Sequence, residues 1–270
     1  MSNRRRRLGQ HFLRSGRAAL ELLGPLEGAK PHEVVAEIGT GRGALTRRLA
    51  DGGSLVVSVE LDHDLCAATA TALGPRRPWN LELVCGDAYR IIRRFDYLIS
   101  SPPYSESSDT VEWLASKDFR AASLVLQEDF VRKALSDPSD RRYGAISAFV
   151  QLAFRAELGS RVPSSAFSPP PKVDSRVVFL RPRVFMSERE ARWALSRLRA
   201  LFSRRKNAIS RLCRELGCGR IREENIRVRE LTPKEALAVA AAIPAERRLR
   251  APPGLRPEIH GGESRKGEGA

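Results

Sequence analysis

Ser100-Ser101-Pro102-Pro103-Tyr104 closes the apolar run Phe95-Asp96-Tyr97-Leu98-Ile99 and carries the residue types needed to hold a flat amine. Its two prolines fix the backbone and remove two N–H donors. The Ser101 hydroxyl and the Pro103 carbonyl are left to accept from an exocyclic amino group, and Tyr104 offers a stacking face. The same residues also make an ordinary surface turn, so their setting must decide.

That setting is a series of acidic and glycine-rich segments, each following an apolar run. Glu37-Ile38-Gly39-Thr40-Gly41-Arg42-Gly43 is a glycine turn between a strand pattern and a helix pattern. Read as Gly39-x-Gly41-x-x-Ala44 it also fits a dinucleotide fingerprint, so alone it does not choose a cofactor. Glu60 follows about twenty residues on, where a carboxylate meets a ribose. Asp87, after the next run, either accepts from an adenine amine or caps a helix. A dehydrogenase would need a partner for hydride transfer, and none is evident. S-adenosylmethionine beside an amine-gripping tetrad makes a methyltransferase.

The elements that must position these residues are legible from periodicity. Short apolar strands are expected at 34–38, 55–59, 81–84, 95–99 and 122–126, with helices at 15–23, 44–49, 63–73 and from 127 to 134. This alternation predicts an α/β fold with an open, mostly parallel sheet covered on both faces. Ser147–Leu158 and Ser175–Leu180 are expected as longer antiparallel strands around the Pro/Ser-rich loop Val162–Pro171. Helices are expected at 188–202, 208–216 and 233–242. The division expected is a cofactor-binding domain over 1–183, a small all-helical domain over 184–250 and a disordered tail over 251–270.

Composition narrows the partner. The net charge is +15, and forty of the 47 basic residues are Arg. Such an excess favours a polyanion, and Arg suits bidentate phosphate contact and stacking on bases. Cys66, Cys85, Cys213 and Cys218 form no CxxC pair and are read as reduced thiols in a cytosolic protein, with no metal site. The run Arg4–Arg7 lacks an apolar segment after it, and no apolar run reaches bilayer length.

With these residues in view, the chain resembles the ribosomal RNA adenine N6-dimethyltransferases, comprising the small-subunit methyltransferase A enzymes and the Erm resistance enzymes. The resemblance is carried by Leu8-Gly9-Gln10-His11-Phe12-Leu13, the turn from Glu37 to Thr46, Val59-Glu60-Leu61-Asp62 and Gly86-Asp87-Ala88. It continues through Leu126-Gln127-Glu128, Tyr143-Gly144, Phe167 to Ser175 with its Pro-Lys-Val-Asp-Ser segment, and Phe202-Ser203-Arg204-Arg205-Lys206.

The resemblance implies a Rossmann-like class I S-adenosylmethionine-dependent methyltransferase sheet with a small C-terminal helical domain. His11, Leu13, Gly39, Gly41, Glu60, Asp87 and Ser101 would hold the cofactor. Ser101, Pro103 and Tyr104 would act on the target base, with Phe167 covering its other face. Lys172, Arg204, Arg205 and Lys206 would meet rRNA. The implied substrate is a pair of adjacent adenosines in the 3′-terminal hairpin of small-subunit RNA, within a pre-ribosomal particle, for a cytoplasmic monomer.

One departure stands out. The family usually begins its tetrad with Asn and then Leu or Ile, where this chain has Ser101 and Pro102. A Ser hydroxyl reaches less far than an Asn carbonyl. Three alternatives therefore stay open: an assembly factor with a weak or monomethylating site, an Erm-type enzyme acting on large-subunit RNA, and a DNA cytosine-N4 methyltransferase, whose tetrad is also Ser-Pro-Pro-Tyr.

Overall fold

The structure is a computed structural model describing residues 10–74, 77–216 and 226–243. Arg4–Arg7, Leu8, Gly9, Cys218 and the tail from Ala251 lie outside the described residues. The N-terminal half runs β1 (Phe12–Leu13), α1 (Gly16–Leu22), β2 (Val34–Ile38), α2 (Ala44–Asp51), β3 (Leu55–Glu60), α3 (His63–Leu73), β4 (Leu81–Cys85), α4 (Ala88–Ile91) and β5 (Tyr97–Ser100). It continues through α5 (Ser107–Leu114), β6 (Ala121–Gln127), α6 (Glu128–Ala134), α7 (Ala145–Ala153), β7 (Phe154–Val162), β8 (Phe167–Ser168) and β9 (Ser175–Pro182). Helices α8 (Glu188–Phe202), α9 (Ile209–Leu216) and α10 (Pro233–Ala242) complete it.

Seven strands form one sheet in the order β4-β3-β2-β5-β6-β9-β7. The first five are parallel; β9 lies antiparallel between β6 and β7. Strand order reverses between β2 and β5, the crevice where open α/β sheets take ligands.

Alternate side chains on each strand enter opposite cores, as the period of two requires. Val35, Ile99 and Val177 join an apolar cluster with α1 and α2, while Ala36, Leu98 and Val178 join the cluster under α5 to α10. With both faces covered, the strands read as apolar runs rather than as alternation. The later helices start at recognisable signals. Ser187 and Glu190 make a capping box for α8, and Thr232 and Glu235 make another for α10. Helices α8 and α10 pack on α7 and on each other. Buried Arg197 fastens α8 to α10 by donating to the Ala240 carbonyl at 2.9 Å.

Two expectations need correction. Residues 147–153 are the body of helix α7 rather than strand. Ile146, Phe149, Val150 and Ala153 stand at i, i+3, i+4 and i+7, the spacing of one helix face, and are buried along with Ala148, so the segment carries a helical period that the strand reading passes over. The reduced-thiol reading fails for Cys66 and Cys85, which form a disulfide with Cα atoms 5.7 Å apart. The first turn of α3 and the end of β4 both lie at the carboxyl edge of the sheet, and that brings the pair together. Cys213 is buried.

Candidate active site

β2 is buried to its end and must turn at once into α2, and Gly39 (φ +81°) and Gly41 (φ +57°) take left-handed conformations to do so. A Cβ at Gly39 would meet no atom within 4 Å, so this position faces open space. One at Gly41 would press on the Phe12 ring at 3.0 Å. The N-terminal segment thus lies directly on the turn, with the Arg42 guanidinium 5.0 Å from the centre of the Phe12 ring.

Three carboxylates stand around the turn. Glu37 is buried, and its Oε2 accepts from Thr46 Oγ1 at 2.7 Å and Ser58 Oγ at 2.6 Å. Burial outweighs those bonds and pushes its pKa up to about 8. Glu60, at the end of β3, accepts the Gly41 N–H at 2.8 Å and the Asp62 N–H at 3.0 Å. Burial holds its pKa above the usual carboxylate range despite these bonds. A carboxylate has about four acceptor sites, so Glu60 retains capacity for ribose hydroxyls. Asp87 accepts the Tyr89 N–H at 3.0 Å as the cap of α4, and its Oδ2 lies 3.2 Å from Arg90. It is therefore a cap and a cavity wall at once.

Glu106 is a carboxylate that the sequence reading missed. Its Oε2 accepts from the Tyr89 hydroxyl at 3.0 Å. Burial chiefly, with Asp109, Asp87 and Glu60 nearby, raises its pKa. Nothing in its local sequence distinguishes it from an exposed helix-start Glu.

The tetrad is held from several sides. Ser100 Oγ donates to the Ile38 carbonyl at 2.6 Å, bolting β5 to β2. The Pro103 carbonyl already accepts the Glu106 N–H at 2.9 Å. The Tyr104 hydroxyl pairs with Ser175 Oγ, the last residue of the Pro-Lys-Val-Asp-Ser segment. Asp174 fixes that segment by accepting the Ser164 N–H at 2.9 Å and Arg161 Nε at 2.8 Å. His11 stacks on Tyr104 with ring centres 5.6 Å apart, and its Nδ1 lies 2.8 Å from the Pro169 carbonyl. β1 pairs with β8, so the N-terminal segment closes this side of the site.

Two cavities result. One of about 590 Å³ is lined by His11, Leu13, Gly41, Ser101, Tyr104 and Ser168, among others. A smaller one of about 270 Å³ is walled by Leu61, Asp87, Tyr89, Glu106 and Asp109. Gln10, Gly39, Glu60 and Pro103 line both and form the ridge between them.

The expected cofactor and tetrad residues are thus brought together at one edge of the sheet. Phe167 is not: it is 3% exposed, lies in the apolar cluster with α1, and lines neither cavity, so it does not cover a bound base. The ring against Tyr104 is that of His11. Lys172 and Lys206 are exposed. Arg204 pairs with Glu215 at 3.0 Å, and Arg205 donates to the Arg141 carbonyl at 2.6 Å, so part of this basic run is engaged within the protein.

A glycine turn, a carboxylate after each of the next two strands and a Pro-Pro-Tyr loop on one parallel sheet define a nucleoside-binding methyltransferase of the Rossmann-like class. The family model for ribosomal RNA adenine dimethylase matches residues 1–244, and the chain belongs to that family. It is 33% identical over 227 residues to ribosomal RNA small subunit methyltransferase A of Thermosynechococcus vestitus, covering 80% of this chain and 84% of that one. It is 32% identical over 249 residues to the probable ribosomal RNA small subunit methyltransferase A of Methanosarcina mazei, covering 87% and 91%. The fold is shared with a dimethyladenosine transferase from Plasmodium falciparum, at a TM-score of 0.69 and 22% identity over 86% of this chain and 96% of that one.

Proposed function

We propose that the chain methylates N6 of adjacent adenosines in the 3′-terminal hairpin of small-subunit rRNA, using S-adenosylmethionine. The observation that carries this reading is the joining of two cavities on one ridge, with Ser101 and Tyr104 lining one and Asp87 the other. The small-subunit names of the curated relatives support that target over a large-subunit one.

The residues fit the cofactor. Open space at Gly39 leaves room for close approach to the backbone. Glu60 would take the ribose hydroxyls, Asp87 the adenine amine, and His11, Leu13 and Gly41 the remaining wall. When bound, S-adenosylmethionine supplies an electrophilic methyl group.

This chain's own work is positioning. A loop adenosine leaves its stack at small cost. Tyr104 stacks on the base, its ring fixed by Ser175 and flanked by His11. The Pro103 carbonyl and a side-chain acceptor beside it take the amine N–H bonds and favour a pyramidal nitrogen, whose lone pair is then directed at the methyl donor. No general base is needed at the amine, because its proton can leave to water afterwards. Holding two reactants in register supplies most of such a rate enhancement.

Residues 184–250, with Lys172, would contact rRNA phosphates on a pre-ribosomal particle, by a cytoplasmic monomer. No helix among the described residues is long and apolar enough to cross a membrane.

The test is nucleoside mass spectrometry of unmethylated small-subunit particles incubated with the protein and labelled S-adenosylmethionine. N6-dimethyladenosine in the 3′-terminal hairpin is expected. Transfer only at other positions of the small-subunit RNA, or none, refutes the reading.

A further inference from the structure

The tetrad lacks the carboxamide that the family usually places first, and the acceptors left at the site are few. Ser101 is short. The Pro103 carbonyl spends one lone pair on the Glu106 N–H. The Ser100 hydroxyl is turned away onto the Ile38 carbonyl. Yet a carboxamide is present on the ridge between the cavities. Gln10 lines both, and its Oε1 is buried with no hydrogen-bond partner among the described residues.

A buried amide oxygen left unpaired is costly, so such atoms in folded proteins are nearly always satisfied by something. Its position selects the donor. Gln10 and Tyr104, the ring that would carry the base, line the same larger cavity. Pro103, a neighbour in the tetrad, lines the same ridge. We propose that Gln10 Oε1 accepts an N–H of the target's exocyclic amine, supplying from the N-terminal segment the carboxamide acceptor that Ser101 does not provide. The inference rests on the methyltransferase reading for its substrate class. It assigns Gln10 as a catalytic residue, in contact with the reacting nitrogen.

Two measurements test it. With protein saturated with S-adenosylhomocysteine, adenosine and purine riboside (which lacks the amine) are titrated by saturation-transfer NMR. Gln10→Ala is expected to weaken adenosine about tenfold and to leave purine riboside unchanged, the loss of one hydrogen bond to a buried acceptor. Equal weakening of both, or of neither, overturns the proposal whichever RNA is methylated.

The second is rescue. Gln10→Ala is expected to cut the saturated transfer rate about thirtyfold, with S-adenosylmethionine affinity by calorimetry within threefold of wild type. Adding Ser101→Asn should restore at least tenfold of that rate, because the carboxamide returns to its usual place. A tenfold loss of cofactor affinity would assign Gln10 to the cofactor instead, and failure of Ser101→Asn to rescue would also overturn the proposal. Absence of transfer by the wild-type protein would sink the proposed substrate but leave the nucleoside comparison to decide on Gln10.

Discussion

Gly39→Ala isolates what the glycine turn does for binding. Gly39 has φ +81°, and a Cβ there would meet nothing within 4 Å. Gly53, after α2, has φ +82° and equally open surroundings, but lines neither cavity. Both substitutions therefore carry the same penalty, the left-handed backbone of an L residue, at about 1–2 kcal/mol. For a chain of this size about 1 kcal/mol lowers Tm by about 2–4 °C, so both variants should fold and melt together a few degrees below wild type. They diverge in binding. If the cofactor approaches the Gly39 backbone, an added methyl is overpacking worth about 1–3 kcal/mol, or roughly 5- to 150-fold in affinity. Calorimetric titration with S-adenosylmethionine should show that loss for Gly39→Ala and none for Gly53→Ala. Equal affinity in the two variants would refute the assignment of the turn as the cofactor cradle. Unfolding of Gly39→Ala alone would refute the open-space argument.

Other outcomes follow from the same contacts. Ser175→Ala removes the partner of the Tyr104 hydroxyl, so urea unfolding should register a loss of about 1 kcal/mol. The transfer rate should fall while cofactor affinity holds, and a parallel loss of affinity would show that Tyr104 supports the cofactor wall. Glu37 has a folded pKa near 8 against 4.5 for the free group. The folded state therefore holds a proton that the unfolded state releases between those values, and stability declines as pH rises through that window. In Glu37→Gln that decline should flatten in melting curves taken from pH 4 to 9. Reducing the Cys66–Cys85 bond, which spans a separation of 19 residues, should cost about 2–4 kcal/mol. Melting with and without dithiothreitol, with Cys66→Ala as the reference, checks this.

Much of the parallel sheet was legible because its strands are buried on both faces and bounded by glycine or acidic residues. β2 and α3 fall where periodicity puts them. Helix α7 is mistaken for a strand because its residues are mostly apolar, as in the buried strands, although Ile146, Phe149, Val150 and Ala153 keep the helical spacing and Ser147 and Gln151 interrupt the run. The tetrad, Glu60 and Asp87 were visible because each follows a strand. Gln10 and Glu106 were not, since their significance lies in what they face across the chain. The disulfide left no trace either, because its cysteines lie in α3 and β4, 19 positions apart, and only the fold brings them together. Phe167 is expected over the base, whereas its register opposite Leu13 turns it into the core.

The pairing of β1 with β8 has a consequence for synthesis of the chain. Residues 10–13 emerge from the ribosome early, yet His11 waits for a partner 158 residues downstream. The last strand made, β9, is also an interior strand, so β7 has no neighbour until β9 is complete. Strands β2 to β6 can assemble as they appear, but the larger cavity is missing one wall until Ser168 arrives. A nascent chain cut short before that point would carry every carboxylate of the site and still have no closed pocket. The larger cavity closes only as the sheet does, with helices α8 to α10 still to follow.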